Sequence, residues 1–559
     1  MKTKWRLLAA LLVGSLVSAF AAEWQWSVPQ GPGRAFLWIP PDCARVRAVV
    51  VGQNNMLEEG ILEHAAMRRT LGQLGIAEVF VAPPFDNVFQ FDLGAGERFD
   101  AMMQALADES GYGELSLAPV VPIGHSACAS YPWNFAAWNP GRTLAILSIK
   151  GDAPQTDLTG SGRPNPDWGE RNIDGVPGLM VMSEVEWWEA RLAPAFKFRA
   201  AHPATPIAIL ADVGRSHFDS SDALVGFLAL FIRKAAEARL PPDSEWHRLP
   251  ADDSAAGSRS HLQPALRPID PARGWLVDRW RGDDPLRAPY ALAGEFAEPE
   301  EAFWCFDEEI ARATEAYYVR MRGKKAQQVD FVQAGEFAPI STSHAGVELK
   351  FQPLNDGITF QLGADFVTPL PPKPPIAAKD TPPPPSVVTP AAAEPDSHAA
   401  GPVRMSRITG PLARIDDRTF RIALNRTAST GDRRGYTIWL LAEHPGDATF
   451  KSAVQQATMR LPANTTGVEQ RLTFPEIADQ NAAARTVKLA ATVDSGATVS
   501  YYVREGPAEV DGDTLRMTAI PPRAKFPVKI TVVAWQFGRA TEPKLKAAAS
   551  VERTFFITK

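Results

Sequence analysis

The sequence predicts a multidomain protein: a doubly wound, mostly parallel α/β sheet comes first, then a mixed extension, then one or more all-β sandwich domains. Three observations carry this reading. From residue 34 to about residue 240, short and nearly continuous apolar runs alternate with stretches of helical periodicity. That is the pattern of strands covered on both faces and joined by crossover helices. From about residue 329 onward, strand-length runs are separated by Gly, Asp and Pro turns. Finally, a chain of 559 residues corresponds to three or four domains at roughly 150 residues each.

The elements follow in order. Lys2, Lys4 and Arg6 precede the apolar run 7–13 and the small-residue site Ala19-Phe20-Ala21. These are the parts of a secretory signal peptide, with cleavage expected after Ala21. The run is shorter than the roughly 20 residues a spanning helix requires, no cysteine stands at the cleavage point, and no later stretch reads as a membrane span. The expectation is a secreted or periplasmic, soluble mature chain.

The domain at 22–244 reads as strands at 34–39, 46–51, 78–82, 118–123, 144–149, 179–182 and 206–210, with helices at 61–74, 99–107, 127–138 and 223–235. Pro132 fits the third of these helices only in its first turns. Residues 245–328 read as a helix-and-loop extension with one helix at 298–320. Residues 329–469 read as a β-rich domain with strands at 346–351 and 357–362. Inside it lies a Pro/Ala/Thr-rich segment, 368–402, that serves as a linker or long loop. The tail, 470–559, carries strands at 486–493, 499–503 and 528–535 and reads as a β-sandwich. Its string at 500–508, SYYVREGPA, resembles bacterial immunoglobulin-like repeats, and the resemblance implies an accessory module.

Composition narrows the function. Hydrophobic residues at 45% and charged residues at 22% exclude wholesale disorder. A net charge of −6 offers no footprint for nucleic acid. Three cysteines (Cys43, Cys128, Cys305) are too few for a disulfide framework. With neither a zinc-type Cys/His spacing nor a Gly-rich phosphate loop, the sequence calls for no metal and no cofactor.

Chemistry enters at Gly124-His125-Ser126-Ala127-Cys128, directly after the strand 118–123 and ahead of a helix. A serine between strand and helix, on a sharp turn permitted by a small residue, is the context of a nucleophile elbow. The usual G-x-S-x-G pattern has glycine where Cys128 stands. Cys128 is read as a small buried thiol between helix and sheet. A serine hydroxyl needs a base and an acid. His217 follows the strand 206–210 and precedes an apolar helix, which suits a base. Glu184 and Glu186 lie on the loop after the strand 179–182, and Asp212, on the loop of His217, is a weaker third choice for the acid. Two amides are needed for an oxyanion. Ala127 offers one; Gln53, with Asn54 as the alternative, is the choice for the other on the loop after 46–51. Trp133, Trp187 and Trp188 lie near these positions and are candidates for stacking on a substrate, against the plainer role of packing.

These residues make the first domain resemble the α/β-hydrolase superfamily, in particular its dienelactone-hydrolase-like and secreted carbohydrate- or polyester-esterase branches. The resemblance implies the order Ser126, Glu186, His217 for the triad, with Glu186 rather than Glu184 at the usual acid position. It also implies acyl transfer through a serine ester without a metal: a carboxylic ester hydrolase. No amphipathic lid helix appears between 149 and 177, so the site is expected to be open unless residues after 245 cover it. An open, tryptophan-flanked site on an exported chain points to a polymeric ester such as an acylated polysaccharide. A serine peptidase of the same fold, and a noncatalytic glycan- or surface-binding protein on a hydrolase scaffold, are the alternatives.

Overall fold

The computed structural model describes residues 23–184, 189–242, 264–282, 290–339, 346–367, 397–428 and 436–559. Among these residues, eight strands form the first sheet: β1 Trp26–Gln30, β2 Gly33–Trp38, β3 Ala48–Gln53, β4 Ile76–Ala82, β5 Val120–His125, β6 Ile146–Ile149, β7 Gly178–Ser183 and β8 Ile207–Asp212. Their spatial order is 1-2-4-3-5-6-7-8. From β4 to β8 all neighbours are parallel, while β2 runs antiparallel to both β1 and β4. Every residue of β3 to β8 is buried. This is why these strands read as continuous apolar text rather than as alternation. β1 escaped the sequence reading because its WSVPQ run is short and ends at a proline and a turn.

Helices α1 Glu58–Leu62, α2 Ala65–Leu74, α3 Ala95–Ser110, α4 Tyr131–Trp138, α5 Glu189–Ala201 and α6 Asp222–Arg239 accompany the sheet. The single helix expected at 61–74 is two helices. His64, extended at the break, accepts a hydrogen bond from the Ala66 amide and starts α2 as its cap. Helix α4 begins at Tyr131 rather than at Ala127, after a separate turn at Ser126–Cys128. This places Pro132 in the first turn, where its missing N–H costs nothing.

The extension differs from its prediction. Its helix, α7 Glu308–Val319, starts ten residues later than 298, because the Asp307 side chain caps it by accepting from the Ile310 amide. The text before it forms a three-stranded antiparallel sheet of β9 Trp275–Val277, β10 Tyr290–Leu292 and β11 Phe303–Cys305.

The β-rich region is bound to the first domain along two fronts. In its four-stranded sheet, Thr437–His444 pairs with Ala453–Arg460. Leu440 and Ala442 enter the core of the β-domain, while the intervening Leu441, with Val454, joins the core of the first domain. Alternation along one strand thus serves two cores. The tail docks on β1 and β2. Gly506 N–H bonds to Trp24 O at 3.0 Å. The buried Glu505 carboxylate accepts from Ser27 and pairs with Arg34 at 3.0 Å. Burial pushes the Glu505 carboxyl up, but Lys529, Ser27 and Arg34 outweigh it and hold it below the usual range. The tail is therefore an integrated part of the molecule rather than a loosely hung module. Its immunoglobulin-like character stays a resemblance of sequence. No helix among the described residues is long and apolar enough to cross a membrane, and the three cysteines are buried and form no disulfide with one another. The proposed leader and residues 368–396 lie outside the described residues.

Candidate active site

The central strand β5 ends in His125, and the chain turns at once into Ser126–Cys128. Ser126 has φ +50°, a left-handed conformation that costs a non-glycine residue about 1–2 kcal/mol. The turn is tight because the strand and the helix approach closely at Gly124: a Cβ there would lie 1.9 Å from the Cys128 carbonyl oxygen. Since that obstacle is backbone, Gly124→Ala is expected to lower stability by about 3 kcal/mol or more, measured by chemical denaturation. Cys128 is fully buried behind the turn. Ser126 and Ala127 keep partial exposure, and the Ala127 amide, in the first helical turn, has no partner within the helix.

His217 meets this serine. Its Nε2 lies 2.8 Å from Ser126 Oγ, across 91 residues of sequence, because β8 and β5 end at the same edge of the sheet. Strand order, sharp turn and serine–histidine contact together decide the fold. The N-terminal domain is α/β-hydrolase-like.

No family model matches the sequence, and no curated protein matches it. Among solved structures, the N-terminal region is similar to an S-formylglutathione hydrolase from Agrobacterium tumefaciens. The identity is 12% and the TM-score 0.28, over 39% of this chain and 99% of that one. A dienelactone hydrolase from Anabaena variabilis matches at 16% identity and TM-score 0.25, over 38% and 95%. An arylesterase matches at 13% identity and TM-score 0.28, over 38% and 83%. These similarities carry no argument about activity, and the fold assignment rests on the topology above.

The loop bearing the histidine, residues 214–219, is held from several sides. Beneath it, Lys150 is fully buried at the end of β6 and donates to Ser216 O at 2.6 Å, Asp219 O at 2.5 Å and Asp219 Oδ1 at 2.6 Å. Lys150 also pairs with Asp212 at 3.0 Å, and Arg215 pairs with Asp219 at 2.8 Å. Burial opposes the charge on Lys150, but Asp219 and Asp212 outweigh it and hold the amine above its ordinary value. Burial likewise opposes the Asp219 carboxylate, yet Lys150 and Arg215 hold it below the usual range. Helix α7 reaches the same cluster, where Tyr317 donates to Asp212 Oδ1.

Asp212 is thereby engaged with Lys150 and Tyr317, which removes it as the triad acid. Glu184 accepts from the Gly214 amide at 2.7 Å and faces Lys451 at 3.9 Å, so it anchors the backbone of the loop rather than the ring. Glu186, Trp187 and Trp188 lie outside the described residues.

Two other expectations are corrected. Trp133 is 1% exposed, with Nε1 donating to Asp152 O at 2.7 Å. It packs the core and cannot stack on a substrate. Gln53 is also buried, its side chain bridging both main-chain groups of Asp86: Nε2 donates to Asp86 O at 2.9 Å, and Oε1 accepts from Asp86 N at 3.0 Å. Its amide is drawn into the ladder. Val49 N–H bonds toward β5 at Pro119 O, and alternation turns the amide of Gln53 the same way. Asn54, the alternative, gives its amide to Val81 O at 2.8 Å.

The sequence reading missed the groups that organise this loop. Glu58, fully buried, accepts from the amides of His125 at 2.7 Å and of Asn55 and Met56 at 2.9 Å each. Burial raises its pKa, against those hydrogen bonds. It ties the loop after β3 to the elbow. Since a glutamine has one acceptor oxygen and would turn its NH₂ toward an N–H donor, Glu58→Gln is expected to cost about 1–3 kcal/mol, read from the denaturation midpoint. His125 Nε2 lies 3.0 Å from His217 O, and its Nδ1 lies 3.3 Å from Asn55 Nδ2. An Nε2–H tautomer satisfies both contacts, so His125 steadies the main chain of the second histidine. A histidine directly before the candidate nucleophile was the available signal.

Proposed function

We propose that the chain is an exported serine hydrolase of carboxylic esters working through an acyl-enzyme. The 2.8 Å contact between Ser126 Oγ and His217 Nε2, with the hydroxyl placed to donate to the imidazole at the apex of a strand-to-helix turn, is the observation that carries the reading. His217 takes the Ser126 proton as Oγ attacks the ester carbonyl. The oxyanion develops toward the Ala127 amide. Collapse expels the alcohol, which receives the proton from His217. Water then attacks the serine ester with His217 again as base, releasing the acid and restoring the hydroxyl. Glu186 is the acid that orients the imidazole; Glu184 and Asp212, engaged with Gly214, Lys150 and Tyr317, leave it the candidate among the three. The substrate is a polymeric ester such as an acylated polysaccharide. Support comes from the export signal, the β-rich regions and the absence of a helix between 151 and 177.

The test is covalent labelling with a fluorophosphonate, mapped by peptide mass, followed by paired ester and peptide substrates. Label on Ser126 with ester turnover is expected. Peptide turnover alone would make the chain a peptidase, and an unlabelled protein would leave only the binding scaffold.

A further inference from the structure

The β-domain reaches the catalytic loop itself. Gln456, in the strand Ala453–Arg460, is 1% exposed. Its Oε1 accepts from Ser216 Oγ at 3.1 Å and from the Phe218 amide at 3.1 Å, the residues on either side of His217. Neighbouring groups of the same domain hold the rest of the loop. Ser452 Oγ donates to Gly214 O at 3.1 Å, Arg215 pairs with Glu443 at 3.0 Å, and the rings of Phe218 and Trp439 lie 4.7 Å apart. On the first domain's side, Arg426 of the β-domain, 3% exposed, pairs with Glu63 at 2.6 Å beyond α1.

We infer that the middle β-domain is part of the catalytic centre, with Gln456 as the positioning residue that sets the imidazole of His217 against Ser126. A glycan-binding module on a flexible tether has no reason to bury an amide between two residues of a neighbour's catalytic loop. A buried acceptor shared by two donors on either side of one residue restricts the backbone torsions that aim its ring. An imidazole displaced by about 1 Å loses on the order of 10²-fold in rate. The β-domain therefore acts on the chemical step.

The inference rests on the hydrolase reading, and its test separates the two. In the full-length chain, Gln456→Met removes the acceptor at nearly constant volume, whereas Gln456→Glu keeps an oxygen where both donors meet. For an ester substrate, Gln456→Met is expected to lower kcat at least about tenfold with KM within about twofold, measured at a temperature where the variant is fully folded. Gln456→Glu should keep most of the rate. Wild-type kcat and labelling rate in Gln456→Met would overturn the assignment. Should that variant fail to fold, Ser216→Ala, which removes one of the two donors, is judged by the same rule. If wild-type protein takes no fluorophosphonate label, the hydrolase reading falls, and the positioning claim is decided by the His217 Cε1–H resonance in histidine-labelled protein. A shifted or broadened resonance in Gln456→Met supports the claim, and an unchanged one overturns it.

Discussion

Ser126→Ala will leave a folded protein whose ester turnover is lower by about 10⁵- to 10⁶-fold, the loss seen when the nucleophile of a serine triad is removed. The size follows from what remains. The Ala127 amide and the loop 214–219 persist, so binding and some stabilisation of the oxyanion survive, but no acyl-enzyme forms and burst kinetics disappear. Cys128, two residues on, cannot take over, because it is fully buried behind the turn. Stability separates two roles of the same position. Alanine retains the strained φ of +50°, while Ser126→Gly relieves it and is expected to stabilise the protein by about 1 kcal/mol, equally inactive. Turnover in Ser126→Ala above about one hundredth of wild type would move the nucleophile elsewhere, since triad members contribute far more than that.

What the sequence makes legible divides along physical lines. Strands β3 to β8 were legible because burial on both faces leaves an unbroken apolar run, and β1 was not because five residues ending at Pro29 and Gln30 carry no such run. Ser126 and His217 could be named because strand–turn–helix text and chain order are local signals. The acid could not be settled among Glu184, Glu186 and Asp212: which carboxylate faces the ring depends on where Gly214, Lys150 and Tyr317 lie, and those contacts span up to 105 residues. Trp133 and Gln53 were overread for one reason. Proximity in sequence to an elbow or an oxyanion loop says nothing about direction: the Trp133 ring points into the core, and the Gln53 amide turns into the ladder toward β5. Gln456 was invisible, since an isolated glutamine in a β-domain carries no mark of a partner 240 residues away.

The largest loss of stability is expected from Lys150→Met. The fully buried ammonium is held by two carboxylates and two carbonyls, and Met fills the space without neutralising either aspartate. Breaking a buried ionic cluster from one side costs about 3–5 kcal/mol, more than the cluster is worth relative to an apolar replacement of all its members. Lys150→Met should therefore unfold at clearly lower denaturant concentration. Adding Asp212→Asn should recover part of the loss, because it removes the carboxylate that loses its lysine, whereas Asp219 keeps Arg215 at 2.8 Å. The pH dependence has a defined sign. Lys150 is raised above 10.5, so its contribution is complete below that value and fades as pH rises through the higher folded value. Asp219 is lowered below 3.8, so its contribution is complete above that value and fades as pH falls through the lower folded one. The gap between wild type and Lys150→Met should thus be widest and flat across neutral pH and narrow toward both extremes. Because the same ammonium holds Ser216 O and Asp219 O on either side of His217, labelling of Ser126 should slow under conditions where the variant is still folded. Wild-type stability together with wild-type labelling in Lys150→Met would mean that the loop is held without the lysine, by Gln456, Glu184, His125 and the other groups that contact it, and that the ammonium does not shape the site.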